Sequence, residues 1–188
     1  MLDNILQFDK ELFLIINNSG IGFLDSFWVF ISNTFSAIPF FIWIVFSSIK
    51  KYGKSFWLSI LLITLVVGLT DFISVNCFKN VFLRFRPSHT PELLEQIHLL
   101  VPKGGLYGFV SSHAANFFAL AAIFSTLFSE QVKFIYIFYL WASLVAISRI
   151  FVGKHYPLDV FCGALLGIII AKLVWYIIFK TKLKELLI

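Results

Sequence analysis

The sequence predicts an all-α protein, a polytopic membrane helical bundle of five or six transmembrane helices with an N-terminal interfacial helix. Three observations carry that expectation. Of the 188 residues, 60% are hydrophobic and 13% charged, with a mean hydropathy of +0.92, whereas soluble domains carry about 45–50% apolar and about 25% charged residues. Several apolar runs reach the roughly 20 residues that a helix needs to cross a ~30 Å hydrocarbon core. Only one long polar connection, residues 86–111, separates them. A single membrane-embedded domain over 1–188 is expected, with its core at about 55–180.

In chain order, residues 4–17 come first. Ile5, Leu6, Phe8, Leu12, Phe13, Ile15 and Ile16 alternate there with polar residues, a pattern of a helix lying in the interface plane. Asn17-Asn18-Ser19-Gly20 ends it with turn chemistry. The first span is read over 22–49, with Asn33, Ser36 and Pro39 predicting a kink or break near 34–39. Further spans are read over 55–78, 113–128, 132–151 and 158–179, with tight connections at 50–54 and 129–132. A separate crossing by residues 4–34 gives six spans instead of five without moving the face that carries the chemistry.

Charge gives the orientation. A net charge of +5 suggests nucleic acid in a soluble protein, but in a membrane protein Lys and Arg collect at cytoplasmic helix ends. That accounts for Lys50, Lys51, Lys54, Lys180, Lys182 and Lys184, and no nucleic-acid partner is expected. With the Glu130–Lys133 turn these mark the cytoplasmic side, which places the 86–111 loop on the other. The N-terminus lacks a basic signal-peptide region. Cys77 and Cys162 lie in apolar stretches and read as small buried hydrophobes. Nothing in the sequence bears on oligomeric state.

Ionisable residues near membrane spans are costly and mark function by default. Three clusters of them fall on one face: Lys79 to Pro87, Ser111-Ser112-His113, and Ser148 to Asp159. Lys79, Arg86 and Arg149 bring three cations together, which repel unless an anion sits among them. A phosphate dianion fits, since Arg offers a planar fork and Lys a point charge. His155 and Asp159 are four residues apart. With a helix starting at Pro157, the carboxylate reaches one ring nitrogen, fixes the tautomer and frees the other nitrogen to attack. His113, on a separate helix, is placed to protonate the departing oxygen. The 112–113 backbone N–H groups form an anion site at a helix start. A zinc site is disfavoured by the neighbouring cations, so no metal or other cofactor is expected. His89 and His98 read as structural. Pro91–Leu100 reads as a short amphipathic stretch with Glu92 and Glu95 on its polar face.

The spacing Lys-x6-Arg-Pro, then Ser-x-His, then Ser-Arg-x5-His-x3-Asp resembles the type 2 phosphatidic acid phosphatase (PAP2) family, over about residues 55–180. That resemblance implies a membrane phosphatase in which Lys79, Arg86, Arg149, Ser111 and the backbone of Ser112 and His113 bind phosphate. It further implies His155 as nucleophile, Asp159 as its partner and His113 as acid. One departure is visible: the family's usual Pro-Ser-Gly-His is Val110-Ser111-Ser112-His113 here. Since Gly reaches conformations closed to other residues, Ser112 implies an altered phosphate loop and offers an additional hydrogen bond.

The expected reaction is metal-free hydrolysis of a terminal lipid phosphate through a phosphohistidine, at the extracytoplasmic face of a bacterial inner membrane. Undecaprenyl diphosphate and lipid A 1-phosphate lead the expected substrates, followed by phosphatidylglycerol phosphate and phosphatidate; the motifs do not choose among them. The rival reading is an anion or lipid-phosphate transporter using the same cations, but its site belongs near the midplane and gives the His–Asp pair no role. A haloperoxidase reading, with vanadate in place of phosphate, conflicts with a membrane-embedded chain.

Overall fold

A computed structural model describes residues 1–180, and over these the chain is helical, with no strand longer than the isolated pairing of Phe85 with Tyr107. Helix α1 spans Leu2–Asn18. It buries Asp9, Phe13 and Asn17, every fourth residue, and leaves Leu2, Ile5, Phe8 and Ile15 exposed. It meets the following helical segment, Gly22–Ser32, at 88°.

Helix α2 (Asp25–Ser32) stops at Asn33, whose backbone is extended and whose side chain accepts a bond from Phe35 N. A 3₁₀ turn at Thr34–Ala37 leads into α3 (Ile38–Tyr52), with Pro39 in its first turn, where a missing N–H is tolerated. The break lies at 33–37, close to the expected place. Gly53, at φ +53°, reverses the chain into α4 (Phe56–Ile73), which continues through a wide π turn at Ser74–Lys79 to Phe82. Helices α5 (Ser112–Phe128), α6 (Tyr136–Phe151) and α7 (Pro157–Phe179) complete the bundle.

Two expectations need correction. The fourth apolar segment does not begin its helix at 132: the N–H groups of Gln131 and Val132 both bond back to Phe128 O, which closes a turn, and α6 starts only at Tyr136. Cys77 is exposed rather than buried, because the π turn rotates it outward; Cys162 is half-buried.

Helix α5 sits at the centre. Ala119 to Phe124, Leu127 and Phe128 are buried among Ile44 of α3, Leu62 and Val66 of α4, Phe138 of α6 and Ala171 of α7. Helices α5 and α7 approach each other closely. A Cβ on Gly167 would collide with the carbonyl of Ala115 and lie 2.8 Å from Ala119 N. Small residues allow such backbone contact where no hydrophobic effect drives association. At one end of the bundle Lys51 donates to Leu127 O (2.7 Å), which joins the 50–54 turn to the end of α5. Lys182 and Lys184 of the expected C-terminal Lys cluster lie outside the described residues. By length and composition Thr34–Phe82 and Pro157–Ile178 suffice to cross a membrane, and α1 with Gly22–Ser32 passes as a bent pair; α5 and α6, at 17 and 16 residues, are shorter.

Candidate active site

At the opposite end the three polar clusters meet. The π turn carries Lys79 to the start of α5, where its Nζ lies 2.5 Å from Ser112 Oγ. Such turns redirect side chains out of helical register and recur at functional sites. Arg86 follows the left-handed residue Leu83 and is fixed by backbone bonds to the returning loop: Arg86 N donates to Leu106 O and Gly108 N to Arg84 O. Its Nε donates to Tyr107 O at 3.0 Å. Arg149, in the last turn of α6, is buried and donates through Nη1 to both the carbonyl and the hydroxyl of Ser32, just before the break between α2 and α3. Its Nε is buried and has no partner among the described residues.

His155 is 2% exposed, and its Nδ1 lies 3.4 Å from Asp159 Oδ2. Asp159 is the third residue of α7 and reaches back to cap it, accepting from Tyr156 N at 3.1 Å. The same carboxylate therefore starts the helix and faces the imidazole. Gly108 lies directly against the pair: a Cβ there would be 3.0 Å from Asp159 Oδ2 and 3.5 Å from His155 Nδ1. Burial, then the charges of Arg86, Arg149, Lys79 and Lys154, push the His155 imidazole well below its ordinary 6.5. Its Nδ1 is the ring nitrogen turned to Asp159, and burial disfavours the charged imidazole.

His113 is the second residue of α5. Ser111 caps that helix by accepting from Ala114 N at 3.4 Å, and its own N–H donates to Asp159 O at 2.9 Å, which ties the starts of α5 and α7 together. The N–H groups of Ser112 and His113 have no acceptor within the helix and face the cationic end. The Ser112 hydroxyl is already engaged by both Lys79 and Ser74 (2.7 Å), so it orients Lys79 as well as offering a contact of its own. His89 and His98 stay outside the cluster: His89 Nε2 contacts Gly104 O and His98 Nε2 contacts Asp25. Residues 91–100 form short turns, and Glu92 pairs with Lys10 of α1 at 3.0 Å. Among the described residues no three His, Cys, Asp or Glu side chains gather as metal ligands.

Four residues matter that the motifs did not single out. Arg84 bridges Asp159 Oδ1 and Asp9 Oδ2, at 2.7 Å each, and lies 4.2 Å above the ring of Tyr156. Burial lowers its pKa, but Asp159 and Asp9 outweigh burial and raise it. Asp9, from α1, also accepts Leu158 N at 2.8 Å. Asn17, 1% exposed, joins the carbonyls of His98, Ile150 and Phe151 and accepts His98 N, fastening the long loop to the end of α6. Lys154, buried beside Arg86, is pushed down to about 8 by burial and by Arg86 and Arg149. A charged residue on the apolar face of α1 was the available sign for Asp9; nothing in the sequence paired it with Arg84.

The family model of the PAP2 superfamily matches residues 56–183. Lipid A 4'-phosphatase of Porphyromonas gingivalis is 32% identical over 181 residues, covering 93% of this chain and 74% of that protein. Undecaprenyl-diphosphatase of Sulfolobus acidocaldarius is 32% identical over 170 residues, covering 86% and 74%. Among solved structures, LpxE of Aquifex aeolicus superposes with a TM-score of 0.62 at 30% identity, covering 88% of this chain and 93% of that one. The first transmembrane PAP2-type phosphatidylglycerolphosphate phosphatase from Bacillus subtilis reaches 0.74 at 22% identity, covering 95% and 88%, a likeness of fold.

Proposed function

The chain belongs to the PAP2 superfamily, and on that premise we propose that it is an integral membrane lipid phosphatase working through a phosphohistidine on His155. The observation that carries this reading is the buried His155, held against Asp159 beside Lys79, Arg86 and Arg149, with Arg149 Nε unpartnered among the described residues. Cations crowded without an anion are costly, and a phosphate dianion relieves that cost.

In the first step His155 Nε2 forms a bond to phosphorus in line with the leaving oxygen. The P–O bond breaks, and His113 delivers its proton to that oxygen. The dianion offsets the surrounding cations, which lets His113 hold the proton it must donate. Lys79, Arg86, Arg149, Ser111 and the N–H groups of Ser112 and His113 stabilise the equatorial oxygens, where electrostatics supplies most of the catalysis. In the second step a water attacks phosphorus, His113 takes its proton, and the P–N bond breaks to release phosphate. Asp159 holds the tautomer throughout, and Arg84 and Asp9 position Asp159. No step draws on a metal.

The whole chain is read as one domain. Its α2–α3 segment, α4, α5, α6 and α7 form five crossings, and α1 lies along the extracytoplasmic surface of the inner membrane. The relatives' substrates, lipid A and undecaprenyl diphosphate, make lipid phosphates the class to test. Phosphate release by the purified protein from lipid A, undecaprenyl diphosphate, phosphatidylglycerol phosphate and phosphatidate is the direct assay. Hydrolysis of at least one, lost in His155→Ala, is the expected result; transport of the intact phosphate without hydrolysis would overturn it.

A further inference from the structure

Lys154 is a buried cation that the proposed reaction leaves without a role. The end of α6 fixes its place. Gly153, at φ +78°, turns the chain in a conformation that strains other residues, and a Cβ there would lie 3.0 Å from Leu99. The N–H groups of Lys154 and His155 then both donate to Arg149 O, at 2.9 and 3.2 Å. One carbonyl therefore ties Lys154 to the histidine that follows it and to the arginine five residues before it.

The ammonium is short of partners. Lys154 is 7% exposed, and its Nζ donates to Pro102 O. A lysine ammonium has three donors, and no ion pair among the described residues includes this one. It faces a second cation instead. Lys154 Nζ and Arg86 Nη1 flank Gly104, where a Cβ would lie 2.8 Å from the first and 3.2 Å from the second. Arg86 spends its Nε on Tyr107 O, which leaves its Nη groups for another acceptor. Lysines are almost never fully buried unless paired, and two cations against one glycine repel unless an anion joins them. Burial, then Arg86 and Arg149, weaken the hold of Lys154 on its proton, and a bound dianion restores it.

We propose that Lys154 is a further phosphate ligand, closing with Arg86 on the transferred phosphoryl group from the His155 side. The assignment rests on the reading of His155 as the nucleophile. In-line attack puts the leaving oxygen on the far side of phosphorus, toward His113. A cation held next to His155 in the chain therefore meets the oxygens that are transferred, and those are the same in every substrate. Its contribution is independent of the leaving group and is shared by inorganic phosphate and vanadate. Lys154 strengthens the grip on phosphate without choosing the lipid.

The test measures binding of inorganic phosphate and of vanadate to the full chain in detergent by titration calorimetry, then hydrolysis of p-nitrophenyl phosphate and of lipid A. Lys154→Gln keeps an N–H donor for Pro102 O without the charge, and Lys154→Met removes both. Both variants are expected to weaken binding of the two anions roughly tenfold or more, and to lower kcat/KM by a like factor on both substrates. Thermal melting shows whether each variant is folded, and the Lys154→Gln comparison decides the matter if Lys154→Met is not. Anion binding in Lys154→Gln equal to that of the unmodified protein would overturn the proposal and leave Lys154 as a tie for the 102–104 loop. A loss confined to lipid A would overturn it too, by assigning Lys154 to a second anionic group of the headgroup. Anion binding that depends on Lys154, without hydrolysis of either substrate by the unmodified protein, would uphold the ligand and overturn the phosphatase reading beneath it.

Discussion

Replacing Arg84 with Met keeps most of the stem and removes the guanidinium that joins Asp159 to Asp9. Both bonds are 2.7 Å, and the three side chains are 16%, 0% and 6% exposed, in the order Arg84, Asp159, Asp9. Breaking a buried pair by removing one partner typically costs about 3–5 kcal/mol, because a charge is left buried without compensation. Here two carboxylates are stranded, so the melting temperature should fall measurably. Part of the loss should return in Asp9→Asn/Arg84→Met, since Asn keeps an acceptor for Leu158 N and removes one stranded charge. Activity responds separately. A hydrogen bond to a charged group is worth about 1.5–3 kcal/mol, which bounds the weakened hold on Asp159, and hence on His155, at roughly ten- to hundredfold in kcat. Arg84 does not touch the phosphate in the proposed reaction, so KM should stay within about threefold, whereas Arg86→Ala should raise KM sharply. Steady-state phosphate release in detergent, with thermal unfolding on the same samples, reads both effects. A kcat unchanged in Arg84→Met, or a KM rise matching that of Arg86→Ala, would refute the positioning role.

In a background free of Cys77 and Cys162, a cysteine at Glu92 should react with a membrane-impermeant thiol reagent in intact cells, and one at Lys50 should not; the reverse labelling would put the site in the cytoplasm. Hydrolysis should persist in excess EDTA and be inhibited by vanadate; complete loss in EDTA, restored by a divalent ion, would contradict the metal-free steps. Because His155 is held well below its ordinary 6.5, at pH values between its folded pKa and 6.5 the unfolded chain binds more protons. The contribution of His155 to stability should therefore fall as pH drops below 6.5. Thermal melts between pH 7.5 and 5 should show that slope flattened in His155→Gln, and an identical slope in both proteins would remove His155 as a source.

Hydropathy made the apolar segments legible, because a bilayer imposes length and composition directly. The break near Asn33 was legible too, from polar residues and Pro39 inside an apolar run. The start of α6 was not: Val132, Phe134 and Ile135 read like the start of an apolar helix, and the bonds of Gln131 N and Val132 N back to Phe128 O close a turn there instead. Lys79, Arg86, His113, Arg149, His155 and Asp159 stood out as charges at helix ends, where desolvation makes each one conspicuous. The Arg84–Asp9 bridge did not, since its partners are 75 residues apart and their pairing depends on how α1 docks. The same holds for Asn17, an ordinary turn residue by type, whose buried bonds arise from tertiary contact. The sequence reading did not pick out Gly163 and Gly167 of α7, whose close contact with α5 is a property of the assembled bundle.

The covalent intermediate is the central claim, and rapid-quench labelling with radioactive phosphate on the two histidine variants tests it most directly. With p-nitrophenyl phosphate, whose leaving group needs little protonation, His113→Ala should still be phosphorylated but lack the base for dephosphorylation. It should release a burst of nitrophenol and accumulate acid-labile label, while His155→Ala should show neither. Acid-labile label on His155→Ala would contradict the assignment of the nucleophile.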